Sequence, residues 1–348
     1  MTSSFIYATC KEGAHIALKD ELKQKFPQCS PAFMQPQLLS FKSQYPLRLE
    51  DCPKLIFAQR TGLSLGIVKT LEEIPELLLK HQLFQAQLFC LPVSLPEEVT
   101  QTGESVHLYE MAQKIRDLAA VVKITLFEPD VIHYPMPLLE VICLEKDQGY
   151  FIGLLNATTW QLKCPAGIFL QQLPAEPISR AWLKMNQALH WFLHRDPHFC
   201  DHSSILELGA APGGSVLALL KHFKNIYAVD TAQISAQLES AIESGQVHVY
   251  TQTLQEIVHL RSLPSIPIIS CDINLRPNQI LPHLIHLIDL QKPRYLHWTF
   301  KLNTEKPLSQ IHPILSALKS AFPQIKLHCE QWHIHHQEAA LLARFEWS

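Results

Sequence analysis

Ile205–Leu220, ILELGAAPGGSVLALL, decides how the chain is to be read. An apolar run that ends in an acid passes into a glycine-rich turn and then into a helical apolar pattern, the layout of strand, tight turn and helix. Gly209 permits the sharp turn and Pro212 stiffens the bend. Gly213 and Gly214 let backbone approach a ligand above the start of the helix. The glycines do not follow the GxGxxG spacing that cradles a dinucleotide pyrophosphate. Asp230 closes the next strand candidate, 21 positions after Gly209, where a carboxylate can accept both hydroxyls of a ribose at a switch point of a sheet. A ribose acceptor beside a turn with no pyrophosphate cradle points to S-adenosylmethionine. The bland alternative is a strand-turn-helix junction that binds nothing, and Asp272, ending a later strand in IISCDI, adds a second carboxylate against it.

Working outward, SILELGA, NIYAVDT, VHVYTQT, PIISCDI, RYLHWTFK and QEAALLARFEW are strand candidates separated by helix-length segments. That alternation predicts α/β architecture with a doubly wound parallel sheet over residues 179–348. Upstream, the segment CPAGIFLQQLPAEPI carries three prolines and a glycine and no period, so residues 165–178 read as a linker. Residues 1–164 have another rhythm. FIYATC and LSLGIVK read as strands, Ala14–Phe26 and EEIPELLLKHQLF as helices, and MPLLEVICLE and GYFIGLLNA as strands joined by a turn at Lys146–Gly149. This predicts an α+β region of small sheets and helices.

With 348 residues, 47% of them apolar, the chain can bury two cores. No stretch approaches the roughly 20 apolar residues of a membrane span, and the start lacks the layout of a secretory signal. Nine cysteines with no CxxC pair argue against a disulfide scaffold or a zinc ribbon, so reduced thiols in the cytoplasm are expected. The formal net charge of -3 argues against a protein that coats nucleic acid by charge alone. Residues 1–176 carry -4 and residues 177–348 carry +1, with 15 of the 19 histidines in the second part. Contact with a polyanion is therefore expected to lean on the C-terminal half. Nothing in the sequence calls for an obligate oligomer, and a monomer is expected.

Four charged residues outside the turn have ordinary explanations when taken singly. Lys184 lies on an amphipathic helix, Lys301 ends the apolar strand WTFK, Glu338 begins AALLARF, and Asp272 ends its strand. Snorkelling or solvent exposure would account for each. Strand ends converge on one rim of a parallel sheet, however, and two lysines with two carboxylates at that rim make a proton-handling site. His333, His335 and His336 suggest a metal only weakly, because spacing places no fourth ligand; they are expected as exposed surface residues or contacts to substrate.

In this order and spacing, ISRAWLK, ELGAAPGGS, AVD, CDI, FK and HQEAALLAR resemble the ribosomal-RNA 2′-O-ribose methyltransferases that carry a Lys-Asp-Lys-Glu tetrad. Within that family the likeness is greatest to the THUMP-containing, cytidine-specific branch acting on bacterial 23S ribosomal RNA. The resemblance implies a Rossmann-like methyltransferase domain and a ferredoxin-like plus THUMP-like N-terminal region that captures RNA. It implies a tetrad of Lys184, Asp272, Lys301 and Glu338. It also implies an S-adenosylmethionine site formed by Gly209, Ala211, Pro212, Gly213, Gly214, Asp230, Thr253 and Asp272. The chain departs from the family pattern at Ala181, Ser215 and Thr253, where a serine, an aromatic residue and an aspartate are usual. In the tetrad, Lys301 is assigned the proton-acceptor role, Lys184 an electrostatic and orienting one, and the carboxylates the task of fixing both ammonium groups. Two other functions fit the same sequence: a non-catalytic RNA-binding or ribosome-assembly factor, and a small-molecule O-methyltransferase, which leaves the N-terminal half without a task.

Overall fold

The structure, a computed structural model, describes residues 2–92, 103–128, 136–145, 148–156, 173–258 and 263–347. The chain divides into two compact units, Met1–Leu170 and Gln171–Ser348. That division falls within the segment read as a linker, of which residues 165–172 lie outside the described residues, as does part of the Lys146–Gly149 turn.

The first unit runs β1 (Thr2–Thr9), α1 (His15–Lys25), β2 (Cys29–Met34), β3 (Leu38–Arg48), β4 (Arg60–Val68), α2 (Ile74–Lys80), β5 (Gln85–Pro92), α3 (Gly103–Val121), β6 (Thr125–Phe127), β7 (Pro137–Cys143) and β8 (Tyr150–Asn156). Its strands form one sheet in the order β2-β3-β1-β4-β8-β7-β5-β6, rather than the several small sheets expected. The antiparallel pairing of β4 with β8, Leu63 opposite Leu154, is what fuses two smaller groups. Among the described strands of this sheet, only β5 pairs in parallel, with its neighbours β6 and β7. The predicted second helix is shorter than its apolar pattern, because Gln82 takes a left-handed φ of 54° and the chain turns into β5.

Alternation along β7 divides the core between the two faces of this sheet. Leu139 and Val141 pack with Ile74, Leu78, Met111 and Ile115 of α2 and α3. Leu138 and Ile142 pack with Tyr7, Phe151 and Leu155. Between them in sequence, Glu140 is fully buried and ion-paired with Arg60, and Tyr7 donates its hydroxyl proton to Glu140 Oε2 at 2.6 Å. Burial and the Glu140 charge hold the Tyr7 hydroxyl well above the usual phenol range.

The second unit runs α4 (Ala181–Arg195), β9 (Ser204–Leu208), α5 (Gly214–Leu219), β10 (Asn225–Val229), α6 (Glu239–Glu243), β11 (Val247–Tyr250), α7 (Leu254–Ile257), β12 (Ile268–Cys271), α8 (Pro277–Gln291), β13 (Tyr295–Lys301), α9 (Pro307–Ala321), β14 (Lys326–Glu330) and β15 (Glu338–Arg344). The sheet order is β11-β10-β9-β12-β13-β15-β14. Strands β9 to β13 are parallel, as expected, and the chain reverses direction across the sheet between β9 and β12. The last two strands correct the all-parallel expectation: β15 runs antiparallel to both β13 and β14. The reversal matters for the site, because it brings the first residue of β15, not its last, to the rim where β13 ends.

Candidate active site

Each residue singled out in the glycine turn lies at the carboxyl ends of β9 and β10, where open α/β sheets bind ligands. Gly209 has φ of +81° and donates its N–H to the Val229 carbonyl at 2.9 Å. A Cβ at this position would lie 2.7 Å from the Asp272 carbonyl oxygen, so glycine lets the Asp272 backbone close against the turn. Gly213 and Gly214 are also required by the packing of the chain itself. A Cβ on Gly214 would meet Ser179 Oγ at 2.1 Å, and one on Gly213 would meet Leu238 Cδ1 at 2.5 Å. These glycines therefore seat the entry to α4 and the segment before α6 against the turn.

Asp230 is tied to the same turn. Its Oδ2 accepts the Ala211 N–H at 2.9 Å and its Oδ1 accepts the Ala232 N–H at 2.9 Å. The carboxylate is half-buried, and each oxygen keeps accepting capacity for a further donor. Pro212 is exposed beside it. Thr253 caps α7, its hydroxyl donating to Glu256 Oε2 at 2.9 Å while accepting the Glu256 N–H at 3.2 Å. Its side chain is engaged with its own helix.

The four charged residues do come together. Lys184 Nζ lies 2.8 Å from Asp272 Oδ2 and 3.1 Å from Glu338 Oε2. Lys301, opposite Glu338 in the β13–β15 register, donates to Glu338 Oε1. Glu338 thus bridges both ammonium groups, and Asp272 holds Lys184 from the other side. Burial pulls the Lys184 ammonium down, but Asp272 and Glu338 outweigh it and leave its pKa above the usual lysine value. Burial alone would raise Glu338, yet the two lysines bring it down to about 2. Asp272 is raised, because burial exceeds the pull of Lys184. Its Oδ1 is buried and accepts no hydrogen bond.

The histidine stretch differs from expectation. His333 and His335 are buried, and only His336 is exposed. Trp332 donates its backbone N–H to His335 Nδ1 at 3.1 Å and stacks on that ring, which draws the turn inward. No group of three metal-ligating side chains occurs among the described residues, and no described helix is long and apolar enough to cross a membrane. One residue that the sequence reading used only as a strand-ending acid is Glu207. It is fully buried beneath the cluster, and burial pushes its carboxyl up to about 7.

A parallel sheet with its switch point at a glycine turn, a carboxylate tied to that turn and a paired-lysine rim are the layout of a methyltransferase-type domain. Residues 177–306, all within the second unit, match the FtsJ-like methyltransferase family. The chain is similar to a protein of Halorhodospira halophila named ribosomal RNA large subunit methyltransferase M, 24% identical over 56% of this chain and 54% of that protein. It is also similar to the protein of the same name from Pseudomonas aeruginosa, 26% identical over 86% of this chain and 83% of the relative. In several of these relatives the matched part spans only about half of their length. Among solved structures, TrmN from Thermus thermophilus aligns over 98% of this chain and 99% of its own, at 14% identity and a TM-score of 0.33.

The residues present fit S-adenosylmethionine. Asp230 offers acceptors to ribose hydroxyls, and the unpartnered Asp272 Oδ1 adds a buried acceptor on the same rim.

Proposed function

We propose that this protein is an S-adenosylmethionine-dependent RNA 2′-O-ribose methyltransferase whose substrate is 23S ribosomal RNA, a cytidine being the modified nucleotide. The observation that carries this reading is the Glu338 carboxylate bridging Lys184 and Lys301, with Asp272 on the far side of Lys184. Asp230 and the turn from Gly209 to Gly214 would hold the nucleoside part of the cofactor. When bound, the cofactor supplies an electrophilic methyl group on a sulfonium.

The chain's own residues supply alignment and proton handling. A ribose hydroxyl is a poor nucleophile at neutral pH and needs a partner for its proton as the new bond forms. Lys301 is the tetrad member with the greatest side-chain exposure, 22% against 9–15% for the others. It also has one carboxylate partner where Lys184 has two. That makes Lys301 the group that meets the acceptor hydroxyl, while Lys184 fixes the position of both acids and adds positive charge beside them. Glu338 orients the Lys301 ammonium, and Asp272 anchors Lys184.

The N-terminal unit would capture RNA through shape and a few polar contacts, since residues 1–176 carry a formal charge of -4. Mapping 2′-O-methylation across ribosomal RNA from cells with and without the protein tests the whole reading. Loss of one large-subunit ribose methylation is the expected result, and an unchanged map contradicts it.

A further inference from the structure

Glu207 is the next-to-last residue of β9 and lies in register with Ser270 of β12, which is itself in register with His297 of β13. The three side chains form a polar row across adjacent strands in the middle of an apolar sheet. Ser270 Oγ is 3.1 Å from His297 Nδ1, and Thr299 Oγ1 is 3.3 Å from His297 Nε2. Glu207, Ser270 and Thr299 are 0% exposed and His297 is 4% exposed. Burial together with the Lys184 charge pushes the His297 ring down to about 3, so it is neutral. Glu207 ends the row, and both of its carboxyl oxygens are buried without a hydrogen-bond partner. The groups that act on its charge are the Ser215 hydroxyl of α5, Ser270 of β12, Asp272 just beyond and Lys184 of α4, and Glu207 in turn acts on the Cys271 thiol.

We propose that Glu207 is a positioning residue for the rim cluster, a carboxyl sealed beneath Lys184 and Asp272 whose proton sets how tightly the cluster holds its ammonium groups. This rests on the reading of that cluster as the catalytic one. Lys184 and Lys301 balance Asp272 and Glu338, so the cluster is neutral overall when all four are ionised. A carboxylate buried without a well-formed hydrogen bond or ion pair is costly, which favours the protonated form of Glu207. Burial, helped by the Asp272 charge, outweighs the two serine hydroxyls and Lys184 and leaves its pKa at about 7. Once ionised, it adds a third negative charge under the lysines, and a nearby anion makes an ammonium harder to deprotonate. Glu207 therefore acts on the reacting hydroxyl only through the lysines.

The first test reads protonation without any activity. Carbon-13 side-chain labelling of glutamate in the full-length protein, followed by NMR across pH, should show one carboxyl titrating near neutrality that is absent in Glu207→Gln. In Lys184→Met the same transition should move to higher pH, because a cation that favours the carboxylate is gone. A parent protein in which no glutamate titrates above the ordinary range overturns the proposal, as does a transition that Lys184→Met leaves in place. The second test compares the single-turnover methyl-transfer rate of parent and Glu207→Gln against pH. The alkaline rise should move to lower pH by on the order of half a unit or more in the variant. An unshifted profile overturns the proposal, whether cofactor affinity is unchanged, which makes the residue inert, or weakened, which makes it a ligand contact. A parent that transfers no methyl group contradicts the proposed function instead, and the titration still decides the fate of Glu207.

Discussion

Each unit buries a charge cluster in its sheet, and the two clusters differ in what they leave unfinished. In the first unit Arg60 and Glu140 have side chains 1% and 0% exposed, and Tyr7 takes a further carboxylate oxygen. One cation, one anion and one donor are closed within the sheet, which suits a structural tie. In the second unit Lys184, Asp272, Lys301 and Glu338 are 9–22% exposed at the end of the strands. Two ammonium groups share one carboxylate there, and Asp272 keeps an acceptor oxygen unused. Burial of charge alone therefore does not mark a site. Residual accepting capacity at an accessible rim does.

The contrast predicts effects of different kinds. Lys301→Ala should lower the single-turnover rate by roughly 10² to 10⁴, the usual worth of positioned proton transfer. Calorimetry on the same variant should show cofactor affinity near the parent value. Glu140→Gln should do the reverse, because it leaves the Arg60 guanidinium buried without its counter-charge. Breaking such a pair costs on the order of 3–5 kcal/mol. Denaturant unfolding should register that loss, while the folded variant keeps the parent's cofactor affinity; a variant as stable as the parent would mean the tie is dispensable.

Asp230→Ala removes a charged acceptor from the turn. It should weaken cofactor binding by about 1.5–3 kcal/mol, the range for hydrogen bonds to a charged group. An unchanged dissociation constant would remove the ribose assignment. Thr253→Ala should have the smallest effect, about 1 kcal/mol of stability from a lost helix cap. It should leave cofactor binding alone, since the hydroxyl is already turned to Glu256. If binding weakens instead, Thr253 faces the ligand after all.

Much of the second unit was legible because its central strands are short apolar runs between turn residues, and because ILELGAAPGGS carries its conformation in its glycines. Strand direction was not legible, since period-two alternation is the same in either sense, and so β15 was read as one more parallel strand. β14, KLHCE, is an edge strand with no continuous apolar run, and it escaped notice. In the first unit, β2 and β3 were hidden by their polar positions, and no local pattern announces that β4 pairs with β8. The four charged side chains were legible by type and spacing. Their bridging arrangement was not, because it depends on the antiparallel turn-back that sets Glu338 opposite Lys301. The burial of His335 was not legible for a related reason: the Trp332 stack that draws it inward is not written in any local pattern.

If the rim cluster handles a proton, the single-turnover rate of Lys301→Arg on its cognate RNA reveals it. A guanidinium keeps the positive charge and can still pair with Glu338, but it holds its proton at any working pH. The arginine variant should transfer methyl groups nearly as poorly as the alanine variant, with cofactor binding intact. An arginine variant that keeps most of the parent rate would contradict proton handling and leave Lys301 an electrostatic role only.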